Sequence, residues 1–210
     1  MSNWKPRVWI LAFALASGAP PAGAQICLDR LATWGGAGDE FAGIAGIDAS
    51  GNRLLLGLTN SYGAGQGDLL VLSYGSDDDL LWARTWGASS DESTEGGCWD
   101  SSSSALYVTG STDGFGVAGR DVLAVRCDAA GTIQWARTWG FLADDFADAA
   151  ACDAASNKVF LAGGTGTESV HDVLVVCLDS GGAVQWARSW GGASDDSING
   201  CVFDVTAGAL

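Results

Sequence analysis

The chain has 210 residues, with 10 Lys and Arg against 25 Asp and Glu, and a formal net charge of −15. So acidic a chain repels phosphate backbones and anionic lipid, which argues against nucleic-acid and membrane-surface roles. Hydrophobic residues make up 48% and charged residues 17%, so the composition is globular rather than disordered.

From the N-terminus, the first 24 residues read as an export signal. Lys5 and Arg7 precede an apolar run from Val8 to Ala16, and Ala22-Gly23-Ala24 forms a small-residue cleavage site before Gln25. The run is too short to span a bilayer, and no later stretch is long enough. Ala24-Gln25-Ile26 before Cys27 lacks the pattern of a lipoprotein site. Cleavage after Ala24 removes two cations and no acid, so the charge becomes −17. The expected product is secreted or periplasmic, with no membrane span. It keeps about 186 residues, enough for one domain with a sizeable core. Proline is confined to the signal (Pro6, Pro20, Pro21), so nothing after it interrupts a strand ladder.

From residue 30 onward one motif recurs. Trp82-Ala83-Arg84-Thr85-Trp86-Gly87 returns at 135–140 and, with Ser189 for Thr, at 186–191; Arg30-Leu31-Ala32-Thr33-Trp34-Gly35 is a degenerate first copy. The second Trp falls at 34, 86, 139 and 190, a period of 51–53 residues. A fixed period of that length marks a repeat array.

The copy from Asp91 to Trp139 shows the unit. Thr94–Trp99 is a first strand, closed by Asp100 and a Ser-rich turn. Leu106–Gly110 is a second strand, Asp113–Gly119 a Gly-rich loop, and Asp121–Arg126 a third strand. Asp128–Gly131 is a turn, and Thr132–Trp139 the fourth strand. Short strands between Gly, Asp and Ser turns predict an all-β fold, and four antiparallel strands per unit predict a β-propeller-type array of blades. The complete blades are 39–86, 91–139 and 144–190, with partial blades at 25–34 and 195–210 in a domain spanning 25–210. The stray strand at the start is Ile26–Trp34, and a first strand is expected at Asp195–Asp204.

The third strands, such as Val122-Leu123-Ala124-Val125, are apolar throughout, which implies burial on both faces. A glycine column in the second strands, Gly57, Gly110 and Gly163, marks close backbone approach. In the fourth strand, period-2 geometry puts Trp82, Arg84 and Trp86 on one face, predicting a guanidinium between two indoles. Recurrence in every copy favours packing between blades over ligand stacking.

The run from Asp121 through Trp139, Asp144-Asp145 and Val159-Phe160-Leu161-Ala162-Gly163 resembles the bacterial seven-bladed β-propeller repeat family, SBBP. That pattern is a strand opening with Asp, an Asp-x-x-Gly turn, a Trp strand ending in Gly-Gly, an acidic pair, then Tyr-Val-x-Gly. Kelch repeats have a similar length but fit less well. The resemblance covers the whole exported chain. It implies a secreted or surface bacterial propeller with no fixed enzymatic activity. Seven blades need more chain than this, so completion of the ring by further repeats or by self-association is expected.

Acidic pairs follow each Trp-Gly: Asp39-Glu40, Asp91-Glu92, Asp144-Asp145 and Asp195-Asp196. All four fall in fourth-to-first-strand loops on one rim. Hard cations want several such oxygens, and calcium is the one cofactor these pairs raise. Turn capping by the first Asp is the favoured reading. Paired carboxylates also raise glycoside hydrolysis, although adjacent strand residues point apart. The Asp-x-x-Gly turns at 128–131 and 179–182 have some likeness to the Asp-box of sialidase-type propellers, yet ordinary hairpin chemistry accounts for them. His171 is the only histidine. No Ser-His-Asp set and no Cys/His zinc spacing is present. Trp99, Phe115 and Phe141 break the repeat and are either partner anchors or local packing.

Six cysteines in an exported chain favour disulfides. Cys98, Cys152 and Cys201 lie near the ends of first strands, and Cys127 and Cys177 near the ends of third strands. Cys27 matches Cys177. Joint presence in a blade favours Cys98–Cys127 and Cys152–Cys177, with Cys27–Cys201 joining the ends. The obstacle is that first and third strands are about 9–10 Å apart in a flat sheet. The rival set is Cys127–Cys152 with Cys177–Cys201. The function expected is a binding or structural scaffold for a protein or glycan. The alternative is a carbohydrate-active propeller hydrolase or lyase using rim carboxylates. A quinone-dependent propeller dehydrogenase is a third reading, for which the repeats lack the fuller motif.

Overall fold

The computed structural model describes residues 33–117, 119–167, 170–204, 208 and 210. The signal segment and Cys27 lie outside the described residues, as does most of the strand expected at 26–34. Twelve strands form three four-stranded antiparallel sheets, and no helix occurs among the described residues. The first sheet is β1 (Glu40–Ile47), β2 (Arg53–Thr59), β3 (Asp68–Tyr74) and β4 (Leu80–Trp86). The second is β5 (Glu92–Asp100), β6 (Ala105–Thr112), β7 (Asp121–Asp128) and β8 (Ile133–Trp139). The third is β9 (Asp144–Asp153), β10 (Lys158–Thr167), β11 (Val170–Asp179) and β12 (Val184–Trp190). Each sheet runs in sequence order, as expected for hairpin-connected strands.

Asp residues close the hairpins. Asp128 Oδ1 accepts from the N–H groups of Ala130 and Thr132, and Asp179 Oδ1 from those of Gly181 and Ala183 (all 2.9 Å). Asp48 does the same with Ser50 and Asn52. Gly51, Gly131 and Gly182 take the positive φ that such turns need (81°, 74° and 82°).

The sheets stack face to face. Leu54, Leu56, Leu69 and Val71 of the first sheet meet Leu106, Val108, Leu123 and Val125 of the second. Ala105, Tyr107, Val122 and Ala124, on the opposite face of the second, meet Val159, Leu161, Leu174 and Val176 of the third. The third strands are therefore buried on both faces, β3 and β7 almost completely. Contacts between sheets concentrate on the first strands β5 and β9, while β4, β8 and β12 are more exposed outer edges.

Close approach at β5 depends on glycine. A Cβ on Gly96 would stand 2.6 Å from the Asp148 carbonyl, and one on Gly97 would strike Leu56. The column at Gly57, Gly110 and Gly163 is likewise filled, by the carbonyls of Phe41, Ser93 and Phe146 on the adjacent first strands. Each first strand also carries a bulge: pairing skips one residue between Ile44 and Gly46, between Thr94 and Gly96, and between Ala147 and Ala149.

The tryptophans of the outer strands pack between sheets. Trp82 lies against Gly131 of the next sheet, where a Cβ would be 2.7 Å from the indole. Trp135 lies against Gly182, and its Nε1 donates to Ser180 O (3.0 Å). The expected Trp-Arg-Trp sandwich is different in detail. Arg84, Arg137 and Arg188 lie over the first indole of each strand, at 5.7, 5.9 and 5.3 Å from Trp82, Trp135 and Trp186. The second indole meets an aromatic ring instead: Trp34 with Tyr62 at 5.0 Å, Trp86 with Phe115 at 5.4 Å, Trp139 with Phe141 at 5.2 Å. Phe115 thus continues a position begun by Tyr62. Phe141 takes over where the third sheet offers Gly166-Thr167 and no loop aromatic.

Two further expectations are corrected. Residues 195–204 do not form a strand; only Asp204 makes an isolated bridge. A first strand takes its ladder bonds from a second strand, and the three sheets of the described residues give this segment no such ladder. It still docks on the third sheet, with Phe203 stacked on Phe160 at 5.6 Å.

The cysteine pairing is neither expected set. Cys98 bonds to Cys152, from β5 to β9, with Cα atoms 6.1 Å apart, and Cys127, Cys177 and Cys201 are free thiols. Cys27, the expected partner of Cys201, lies outside the described residues. Cys98 belongs to the layer between the second and third sheets, Cys127 to the layer between the first and second. They point to opposite faces of one sheet and so cannot be joined. Burial pushes the Cys127 thiol up to about 12 and that of Cys201 up to about 11, which keeps both protonated and slow to exchange.

Peptide mapping without reduction should recover a Cys98–Cys152 link, and a Cys98–Cys127 peptide would contradict the structure. Closing a loop of this length is worth about 3–4 kcal/mol, so the Cys98→Ser/Cys152→Ser protein should unfold at clearly lower urea concentration. Gly131→Ala forces a side chain into positive φ and against Trp82. It should lose about 2 kcal/mol or more in the same assay.

Candidate functional site

One rim gathers most of the chemistry: the starts of the third strands, the Trp-Gly turns and the acidic pairs. The first acid of each pair ties its segment to the preceding sheet. Asp91 Oδ1 accepts from Gly67 N (3.2 Å), Asp144 Oδ1 from Arg120 N (3.0 Å) and Asp195 Oδ1 from His171 N (2.9 Å). The following residue donates back to the same place: Glu92 N to Gly67 O (2.9 Å), Asp145 N to Arg120 O (2.8 Å) and Asp196 N to His171 O (2.7 Å). The separation is 24 residues in all three side-chain bonds. The carbonyls of Asp39 and Asp91 also accept, from Asn60 N (3.0 Å) and Asp113 N (3.1 Å), within their own sheets.

The second acid caps the Trp-Gly turn four residues before it. Glu40 accepts from Gly36 N (3.2 Å), Glu92 from Ala88 N (2.7 Å), Asp145 from Phe141 N (2.8 Å) and Asp196 from Gly192 N (3.0 Å). The two acids of each pair thus take donors from different segments, one from the loop before a third strand and one from the Trp-Gly turn.

A third set of carboxylates joins them. Asp68 and Asp121 open β3 and β7 and are 1% exposed, and Asp172 takes the equivalent place two residues into β11. A Cβ on Gly87 would strike both Asp68 and Glu92; one on Gly140 would strike Asp121 and lie 2.9 Å from Asp145; one on Gly191 would strike Asp172. This explains the glycine after every second Trp: the carboxylates occupy its side-chain position. These aspartates were visible in the sequence as the residue opening each third strand, but nothing there placed them beside an acid of the following sheet.

Burial raises the Glu92 carboxyl above its usual range; bonds from Ala88 N and Thr112 work against that, and the charges of Asp68 and Asp91 add to it. Burial likewise raises Asp121, opposed by Val117 N and reinforced by Asp145. A second acidic place lies on the inner strands, where the bulge residues Glu95 and Asp148 come from neighbouring sheets. Burial, then the charge of Glu95, raises Asp148, while Arg120 lowers it. Bulges are not legible in composition, so this pair had no sequence signal.

Other candidates fall to structural roles. His171 Nδ1 is 3.2 Å from Asp195 Oδ1, and its ring stands edge-on to Phe146 at 5.2 Å. Among the described residues no group of three or more His, Cys, Asp or Glu is placed to hold a metal ion. A pocket of about 220 Å³ between the second and third sheets is lined mainly by core residues such as Val122, Leu161 and Val176, with Arg137 and Trp139 at its side. It carries no acid, thiol or imidazole. Trp99 packs on Gly46 inside the stack, where its Cβ lies 2.9 Å from the place of a Gly46 side chain. Exposed apolar side chains remain on the acidic rim: Tyr62, Phe115, Val117, Phe141 and Leu142. Among known proteins, no family model matches this chain and no curated protein matches it.

The raised carboxyls set a direction with pH. A folded-state value above the unfolded one gives stability that is present below the unfolded value and is lost as pH rises through the folded one. Glu92, Asp121 and Asp148 should therefore make the melting temperature fall as pH rises above the ordinary carboxyl range. Asp100 acts oppositely: burial raises it, but bonds from Ser103 and Ser102 outweigh that and hold it low. Its contribution is lost only in stronger acid. Thermal melts of Glu92→Gln should show a shallower dependence than the parent.

Proposed function

We propose that this chain is a section of a secreted β-propeller of the SBBP type, acting as a scaffold that presents one loop rim to a protein or glycan partner. The supporting observation is the thrice-repeated tie between acidic pair and preceding sheet, which uses rim carboxylates as acceptors for backbone N–H groups. Carboxylates held that way position loops; they are not left free to shuttle protons. The β-hairpin order, the innermost first strands and the face-to-face stacking all suit propeller blades. The forward face of the third sheet, with Phe160, Trp186 and a 53% exposed Trp190, suits a further blade from additional repeats or from a second copy of the chain. The disulfide fits an oxidising compartment.

The hydrolase alternative separates from this reading at Asp144. Asn keeps an acceptor oxygen for Arg120 N, whereas Ala removes it. On the scaffold reading, Asp144→Asn is close to neutral and Asp144→Ala loses about 1 kcal/mol. A polysaccharide-cleaving activity in the parent that vanishes in a well-folded Asp144→Asn protein would overturn the proposal. The recognition role is tested on the exposed rim. Phe141→Ser/Leu142→Ser should abolish binding on a glycan array or to an immobilised partner while leaving the melting transition nearly unchanged.

A further inference from the structure

We propose that the junction between the second and third sheets binds a divalent, calcium-type cation between Asp121 and Asp145. The chain contains its own control. At the preceding junction every carboxylate oxygen has a donor. Asp68 Oδ1 and Oδ2 accept from Ala64 N and Gly65 N (both 3.1 Å), Glu92 Oε1 from the Thr112 hydroxyl (3.0 Å) and Glu92 Oε2 from Ala88 N (2.7 Å). At the second junction only one oxygen of each carboxylate is met: Asp121 Oδ2 by Val117 N (3.0 Å) and Asp145 Oδ2 by Phe141 N (2.8 Å). Asp121 Oδ1 and Asp145 Oδ1 are buried with no donor among the described residues.

The difference is one methylene. Glu40 and Glu92 reach the hydroxyls of their cross-strand partners, Thr59 and Thr112 (both 3.0 Å). Asp145 pairs with Thr165 in the same register but carries the shorter side chain. The site is enclosed: Asp145 is 0% and Asp121 1% exposed, and both carboxylates border Gly140, Asp121 through Oδ1 and Asp145 through Oδ2. Two carboxylates in one desolvated place repel each other, and a cation between them relieves that repulsion. The groups acting on Asp121 include no basic side chain. The donors are all hard oxygens, two carboxylates with Thr165 in the cross-strand position opposite Asp145, and water completes the shell of a hard cation. That set suits calcium rather than zinc or copper. A proton shared by the two carboxyls is the competing solution.

Calorimetric titration of the full chain with calcium chloride, after removal of metal by a chelator, should show binding in the weak extracellular range, about 10⁻⁴–10⁻³ M. Calcium at ten times that dissociation constant should raise the melting temperature by about 3–6 °C. Both effects should vanish in Asp121→Asn and in Asp145→Glu. The latter only reproduces the fully bonded arrangement of the first junction, so it should fold even where Asp121→Asn does not. The reciprocal Glu92→Asp should add a second site. Terbium bound at the site should luminesce on excitation of Trp139, which precedes Gly140, and lose that signal in Trp139→Phe. No heat and no change in melting up to 10 mM calcium, which is about tenfold above the upper end of that range, would sink the proposal. So would binding that survives Asp145→Glu, or an Asp121→Asn protein stabilised with calcium inert, which is the outcome for a shared proton.

Discussion

A strand that is apolar on both faces cannot be finished by its own sheet, and the whole arrangement follows from that demand. β3, β7 and β11 lie third in their sheets and need a neighbouring sheet on each side to leave water. Burying a Leu or Val side chain is worth about 1.5–3 kcal/mol, so a row of them commits the sheets to stack. The hairpins then have to be narrow and the innermost strands bare. That is what the closing Asp residues and Gly96, Gly97, Gly57, Gly110 and Gly163 provide. Tryptophan does the opposite service at the outer edge, where the sheets diverge and a large side chain is needed to bridge to the next turn.

The many carboxylates are organised by backbone geometry more than by opposite charge. Only Arg53 with Asp78, and Arg120 with Asp113 at 4.0 Å, form Arg–carboxylate pairs among the described residues. Most of the ordered acids instead accept N–H groups at turns and sheet starts, where several donors cluster and no strand partner exists to take them. An acid at such a place is better than a neutral acceptor because an ionised oxygen makes the stronger bond. The consequence is a rim whose negative charge is fixed in position, and whose burial varies from the exposed Asp195 to the enclosed Asp145.

Much of the fold was legible in sequence. The 51–53-residue period, the four strands per unit and the two-faced third strand all stand in the structure as read, because each rests on local pattern. The cysteine pairing was also present but in a finer signal. Cys98 stands two residues before its closing Asp100, and Cys152 stands one residue before Asp153. In a strand a one-residue offset turns the side chain to the other face. Cys98 therefore faces forward and Cys152 backward, and they meet. Cys127 and Cys177 differ by the same single step, so they are not equivalent, although both lie near the end of a third strand. What sequence could not supply was long-range placement: the bulges that set Glu95 beside Asp148, and the approach of Asp68 and Asp121 to an acid of the following sheet.

That same offset position also settles a problem inherent to repeats. Sheets built from near-identical units can stack in the wrong order, since each offers its neighbour the same apolar surface. Here the residue before the closing Asp differs at every interface. Trp99 of the second sheet fills the space left by Gly46 of the first, Cys152 of the third meets Cys98 of the second, and Phe203 lies on Phe160. Trp99 cannot sit opposite Cys98 without displacing the strand, and Cys152 opposite Gly46 would leave a void where the indole now packs. Overfilling and underfilling a core position each cost on the order of 1–3 kcal/mol. The repeated residues therefore make the sheets stack, while the variable residue at this one position decides which sheet is next to which, and the disulfide then makes one of those choices covalent.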